Sequence, residues 1–305
     1  MNSPSPALLA ASSRQLEQIT RQDWPTATLY VVATPIGNLG DLSPRARHAL
    51  QLADVIAAED TRTSRPLLDH WDIGTPLMAA HQHNEAEAAE RIVARLAAGA
   101  RVALIADAGT PAVSDPGARI VRAVRGAGYR VIPIPGPSAV LAALMASGAT
   151  SDQQPAFAFA GFPPQRSQAR QAWLRPWCQL PAPVVLFESP HRLADTVRDL
   201  QAICGPDREL TLARELTKRF EDIVTLPLSQ VDPWLAEHAH RSQGEFVLIL
   251  GAAVVADAAP DQHDELLRGL LAHMGVRDAA NLAAQATGAP RKALYQRALA
   301  LQRAP

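Results

Sequence analysis

The sequence predicts an α/β protein: two α/β domains in series, followed by a small C-terminal helical domain. Three observations predict it. Short apolar runs alternate with helix-period segments twice over, with a turn-rich stretch between the two rounds. Hydrophobic residues make up 48% of the 305, enough for two ordinary cores. The final stretch, 261–305, carries helical spacing only.

Residues 1–25 read as a polar, mobile arm, because their apolar patch is too short for a signal peptide and no basic segment precedes it. In the first domain, 26–150, strands are expected at 29–33 (LYVVA), 54–58 (DVIAA), 102–106 and 130–133. Helices are expected at 44–52, 84–98 and 119–125, with a further Ala/Leu-rich helix ending at Ser147. Asn84 and Glu87 have capping-box spacing, and Gly99 stands where that helix should stop. The alternation argues for a mostly parallel sheet with helices on its faces. Residues 148–155 form a polar linker.

The second domain, 151–252, repeats the pattern. Strands are expected at 157–160, 184–188, 209–214 and 246–250, helices at 168–174, 191–203 and 231–240, and an edge hairpin strand at 221–226. From Gly251 the chain becomes an Ala/Asp-rich linker, and 261–305 then reads as about three short helices.

Several function classes are disfavoured. No apolar run approaches the ~20 residues of a membrane helix, so a cytoplasmic protein with reduced thiols at Cys178 and Cys204 is expected. The nine histidines show no metal-ligand spacing, and His81 and His83 read as polar residues of a cleft or surface, so no metal is expected. GxGxxG, GxxxxGK[ST] and GxSxG are all missing, which argues against the usual NAD, ATP and hydrolase sites. Net charge is −1, which does not advertise nucleic acid, yet 288–305 concentrates Arg291, Lys292, Arg297 and Arg303 with no acid.

Three expected strands of the first domain end in Gly/Pro-rich loops: 34–40, 107–117 and 135–138. Ligands of open α/β sheets collect at the carboxyl ends of strands, so these loops are the candidate cofactor site. Asp107, at one strand end beside Gly109, can accept hydrogen bonds from an amino or hydroxyl group.

Seven blocks then follow in order: TPIGNLGDLSPRA (34–46), IAAEDTR (56–62), ADAGTPAVSDPG (106–117), PIPGPSA (133–139), FESPHR (187–192), ARELTK (213–218) and QGEFVLIL (243–250). Together they closely resemble the ribosomal small-subunit methyltransferase I family, 16S rRNA cytidine 2′-O-methyltransferases of the tetrapyrrole methylase superfamily. The resemblance spans about 28–305, including PRKALYQRAL (290–299) in the helical tail. It implies a two-domain tetrapyrrole-methylase-like fold, a homodimer, S-adenosylmethionine as cofactor, and 16S rRNA of the small ribosomal subunit (its decoding region) as partner. Matched block by block, it implies cofactor contacts at Pro35, Ile36 and Gly37, at Asp107 and Thr110, and at Ser138 and Ala139. Phe187, Glu188, Ala213, Gly244, Glu245 and Phe246 would complete the pocket. Ala106 and Gln243 depart from the expected Ser and Lys; the second bears on RNA electrostatics.

For such a reaction a positioned base would help a weak ribose nucleophile, typically by about 10²–10⁴-fold. Lys218 is conspicuous, since the chain has only two lysines, Lys218 and Lys292. With a lowered pKa it could take a proton; as a cation it could stabilise an oxyanion. Glu59, Asp60, Glu188 and Glu215 are further base candidates. Arg62, His191, Arg192, Arg291, Lys292 and Arg297 are candidate RNA contacts, with 261–305 read as an RNA-docking appendix. Two alternatives stay open: a porphyrin- or corrin-type small-molecule C-methyltransferase, and a non-catalytic RNA- or ribosome-binding factor.

Overall fold

The computed structural model describes residues 5–253 and 263–303. The core of the linker expected after Gly251, the first four residues of the arm, and residues 261–262 and 304–305 of the appendix lie outside them.

The chain runs α1 (Pro6–Thr20), β1 (Thr28–Val32), α2 (Pro44–Leu52), β2 (Val55–Ala58), α3 (Thr61–His70), β3 (Leu77–Ala79), α4 (Glu85–Ala97), β4 (Arg101–Ile105), α5 (Ala118–Gly126), β5 (Arg130–Ile134) and α6 (Ala139–Ser147). The five strands form one fully parallel sheet in the order β3-β2-β4-β1-β5. Both faces are covered, which is why its strands read as continuous apolar runs. Tyr30 and Val32 point into a cluster with Ala46 and Leu50 of α2 and Leu68 of α3. Leu29 points the other way, with Ile92 and Leu96 of α4 and Ile120 and Val124 of α5.

The segment expected as a mobile arm is helical over α1, and its end is packed: Ile19 and Trp24 are buried in the first cluster. Trp24 Nε1 donates to Ile19 O (2.9 Å), and its ring lies 5.6 Å from Tyr30 and 5.0 Å from His48. One buried indole with a satisfied N–H anchors a segment whose composition looks like linker. The α3 helix and β3 were also not foreseen; α3 carries Pro66 inside, and β3 is three residues long. The capping box at Asn84 does not form, because its side chain turns back to donate to Ala79 O (3.3 Å).

The second sheet is built from β6 (Ala158–Gly161), α7 (Ser167–Cys178), β7 (Val184–Glu188), α8 (Leu193–Cys204), β8 (Glu209–Arg214), β9 (Asp222–Pro227), α9 (Leu228–Glu237) and β10 (Phe246–Leu250). Its order is β6-β7-β10-β8-β9, and only β6–β7 is parallel. Helix α6 leaves the first sheet and lays Val140, Ala143 and Leu144 on Val185, Ala213, Val247 and Ile249 of the second. The two sheets thereby belong to one compact unit ending at Gly251.

A separate unit holds α10 (Asp264–Leu271), α11 (Val276–Thr287) and α12 (Arg291–Arg303). Its core is Leu267, Ala280, Ala283, Leu294 and Ala298. Gly288 caps α11 in the left-handed conformation, and three residues link α11 to α12, the connection of a helix-turn-helix.

Candidate functional site

The loops after β1, β4 and β5 meet at the carboxyl edge of the first sheet, facing the second. The first two are stitched by a two-way backbone bridge: Thr34 N donates to Gly109 O (2.8 Å) and Gly109 N to Thr34 O (3.0 Å). The second and third are joined by Thr110 Oγ1 donating to Pro137 O (3.0 Å). Between these loops and β7, β8 and β10 lies a cavity of about 410 Å³, within the ~300–1,000 Å³ of small-molecule sites.

Its wall contains Ile36 from the first loop, Ala108–Thr110, Val113 and Asp115 from the second, and Ser138–Val140 from the third. Phe162, Phe187–Pro190, Ala213, Leu216 and Glu245–Val247 face them from the second sheet. Of the sequence-expected cofactor residues, Ile36, Thr110, Ser138, Ala139, Phe187, Glu188, Ala213, Glu245 and Phe246 line this cavity. Pro35, Gly37, Asp107 and Gly244 do not, and Gly37 is exposed on the first loop. Asp107 Oδ1 accepts the Asp60 N–H (2.9 Å), so this carboxylate ties the β2 loop to the β4 loop. A mostly apolar cleft with a few carboxylates and loop backbone groups suits a flat heterocycle joined to a ribose and a cationic chain.

The ARELTK and QGE blocks form a clasp on one wall. Glu215 N donates to Glu245 O (3.0 Å), and Glu245 N returns a bond to Glu215 Oε1 (2.9 Å). Lys218 Nζ donates to Glu215 Oε1 and to Glu245 Oε2, each at 2.9 Å. Arg214, buried, donates to Gln243 O (2.7 Å) and Phe220 O (2.8 Å), which fixes both ends of the turn. The turn pays in strain, with Glu215 at φ 50° and Thr217 at φ 65°. A Cβ on Gly244 would sit 2.5 Å from Glu215 Cγ, so only glycine fits there.

This geometry bears on several expected roles. At Lys218 burial pulls the pKa down, but the Glu215 and Glu245 carboxylates outweigh it and push the pKa up, which favours the cationic of its two expected roles. At Glu215 burial would raise the pKa, but the Glu245 N–H and Lys218 hold it below the ordinary value, which makes it a weaker base than a free carboxylate. Asp60 caps α3 through the Arg62 N–H and grips the Arg62 guanidinium at 2.7 and 3.1 Å, which depresses its carboxyl to about 2. Glu188 lines the cavity but is saturated by the Ser189 N–H (2.7 Å), Thr196 Oγ1 (2.6 Å) and Arg192 (3.0 Å). Burial first and then the Asp107 charge raise the Glu59 pKa, but Glu59 does not line the cavity.

The candidate RNA contacts divide as well. Arg192 is turned inward onto Glu188 and Pro163 O (2.6 Å), a structural tie rather than a free cation. Arg297 grips Asp264 through two bonds of 2.7 and 2.6 Å. Arg62, His191, Arg291 and Lys292 are exposed. Sequence reasoning missed Asp115, Val113, Phe162 and Leu216; only Asp115 carried a signal, as the second carboxylate of the ADAGTPAVSDPG block. No group of residues suited to a metal ion occurs among the described residues, and no helix among them is long and apolar enough to cross a membrane.

Comparison with known proteins gives this architecture its relatives. Residues 28–232 match the Tetrapyrrole (Corrin/Porphyrin) Methylases, and residues 257–302 match the RsmI C-terminal HTH domain. The chain is 48% identical over 269 residues to the ribosomal RNA small subunit methyltransferase I of Xylella fastidiosa strain Temecula1, covering 88% of this chain and 97% of the relative. It is 42% identical over 288 residues to the protein of the same name from Escherichia coli O157:H7, covering 94% and 100%. Among solved structures, a diphthine synthase aligns with a TM-score of 0.57 at 16% identity over 73% of this chain and 90% of that one. A Thermus thermophilus uroporphyrin-III C-methyltransferase in complex with S-adenyl homocysteine aligns at 0.51 and 20% identity, over 73% and 97%. Those two likenesses establish the fold. The identities, running through both sheets and the helical unit, establish more: the chain belongs to the ribosomal RNA small subunit methyltransferase I family of tetrapyrrole methylases.

Proposed function

We propose that the protein transfers a methyl group to the ribose 2′-hydroxyl of a cytidine in the decoding region of 16S rRNA. The observation that carries the reading is the continuous identity to ribosomal RNA small subunit methyltransferases I through both α/β sheets and the C-terminal helical unit. The methyl donor is S-adenosylmethionine, which supplies an electrophilic methyl on a sulfonium. The apolar wall formed by Ile36, Phe187 and Val247 suits its adenine. Thr110, Ser138 and the loop backbone suit its polar groups. Asp107, Gly37 and Gly244 hold the loops in place, Asp107 through the Asp60 N–H and the two glycines by the close approach of Lys218 and Glu215. The family's work is alignment of the accepting oxygen with the methyl carbon, and such positioning can lower a barrier by roughly 7–11 kcal/mol.

RNA docking falls to the exposed cations. Arg291 and Lys292 open α12 on the second helix of a helix-turn-helix, the position from which such helices approach nucleic acid. Arg62, exposed although its guanidinium is paired with Asp60, and His191, also exposed, serve the same end on the α/β unit. A homodimer suits the bare apolar side of α6, where Leu141 and Met145, one turn apart, are 55% and 85% exposed. A cytoplasmic location follows from the ribosomal substrate.

The test is methyl transfer from labelled S-adenosylmethionine to small subunits lacking the modification, with nuclease digestion and mass spectrometry of the product nucleosides. The expected product is 2′-O-methylcytidine. A label on a base carbon or nitrogen, or on a porphyrin offered instead, would overturn the reading.

A further inference from the structure

We propose that Asp115 is the catalytic residue that accepts the proton of the ribose hydroxyl during methyl transfer. The inference rests on the function proposed above and names the group that function lacks.

Three carboxylates line the cavity. Glu188 is saturated by Arg192, Thr196 and the Ser189 N–H. Glu245 is bonded to Lys218. Asp115 has neither a cation nor a hydrogen-bond donor among the described residues, so its lone pairs are open to the cavity. The loop is built to hold it there. Ala112 and Ser114 take φ of 66° and 72°, costly for residues with a side chain. Beyond Asp115, Glu85 Oε1 accepts the N–H of Gly117 (3.0 Å) and of Arg119 (2.9 Å), fixing the start of α5.

The charged groups facing it are also arranged for the task. Glu59 stands at the end of β2 and Asp107 at the end of β4, and Asp107 is itself held by the Asp60 N–H. Burial first, then the charges of Glu59 and Asp107, push Asp115 up to about 6. Such a carboxylate is ionised at neutral pH yet more basic than an ordinary one. It need not deprotonate a free hydroxyl. As the ribose oxygen bonds to the methyl carbon, the carbon–sulfur bond breaks with its electron pair going to sulfur. The hydroxyl proton, made acidic by that bond, passes to Asp115, which then releases it to water.

The test measures single-turnover methyl transfer to small-subunit rRNA at saturating S-adenosylmethionine, from pH 5 to 8, in Asp115→Asn and Glu59→Gln. Wild type should show a rate that rises through an inflection near pH 6. Asp115→Asn should lose the inflection and about 10²–10⁴-fold of the rate, with cofactor affinity by calorimetry unchanged. It should also unfold at a higher temperature at pH 8, because a crowded negative charge has gone, an effect that a structural role would not produce. Glu59→Gln should move the inflection to lower pH, by removing one of the charges that raise Asp115. An active wild type whose Asp115→Asn variant keeps its rate or its inflection overturns the assignment alone. A wild type that transfers no methyl to this rRNA overturns the functional reading and the assignment with it.

Discussion

The stem of Lys218 lies across Gly37: a Cβ added at Gly37 would fall 2.5 Å from Lys218 Cγ and 2.8 Å from Cε. The first loop of one sheet is thus covered by the clasp of the other, and Gly37 holds φ at 149°, a value that side-chain-bearing residues avoid. Gly37→Ala therefore meets two penalties at one position. The strain alone costs about 1–3 kcal/mol, and displacing Lys218 opens the clasp beside Glu245, a cavity residue. The expected outcome is a lower melting temperature, by roughly 2–4 °C for each kcal/mol, with weaker S-adenosylmethionine binding. Calorimetric affinity equal to wild type would show that the clasp does not shape the cavity.

The clasp has a definite pH window. Glu215 is held below its ordinary pKa, so its contribution is present above the unfolded value and fades as pH falls through the folded one. Lys218 is raised, so its contribution is complete below its unfolded value and fades only in strong alkali. Lys218→Met should erase the acid-side loss of stability that the pair produces and leave Glu215 and Glu245 facing each other without a cation. Unfolding midpoints from pH 3 to 8 check this, and a parallel acid slope in both proteins would refute it.

A second ion pair is structural. Arg170 Nε donates to Asp199 Oδ2 (2.6 Å) between α7 and α8, with both residues buried. Burial would raise the Asp199 pKa, but donors from Gln171, Arg170 and Ser167 outweigh it and hold it down. Arg170→Ala leaves that buried carboxylate without its cation, with only the Ser167 and Gln171 donors, and should cost about 3–5 kcal/mol. Asp199→Asn should cost less, because the amide still accepts from Ser167. Denaturant melts rank the two, and the reverse order would mean that packing of the arginine stem dominates.

How much of this was legible in the sequence differs by element, for physical reasons. The strands of the first sheet announced themselves as apolar runs because helices cover both faces, and their Gly/Pro-rich ends marked the loops that meet at the cavity. Helix α3 hid behind Pro66 and a polar surface, and α1 behind a polar composition, although Ile19 and, just beyond the helix, Trp24 are buried in the first core. Strand direction in the second sheet was not legible, since β7, β8 and β10 are apolar whether their neighbours run parallel or not. At the site, residue types marked Lys218, Glu188 and Glu215 as candidates, but some of the groups that engage them lie 27 and 30 residues away in sequence. Asp115 was passed over for the opposite reason: its distinction is the partner it lacks.

The final prediction concerns the helical unit, where basic residues cluster but do not act alike. Arg297 is spent on Asp264, which is buried and also approached by Arg268 at 3.7 Å, so it holds α12 against α10. Arg291 and Lys292 are exposed at the start of α12. Arg297→Ala should therefore loosen this unit and raise its protease sensitivity. Arg291→Ala with Lys292→Ala should leave the fold intact and weaken docking on the small subunit. Phosphate contacts release condensed counterions, and each one lost flattens the log–log salt slope by about 0.7–0.9. The double variant should consequently bind with a shallower slope, while S-adenosylmethionine affinity, set by the cavity of the other unit, stays the same. The competing account is that these helices serve only to pair two copies of the chain. Sedimentation of a chain ending at residue 252 separates the two: a monomer with the wild-type salt slope supports pairing, and a dimer with a flattened slope supports docking.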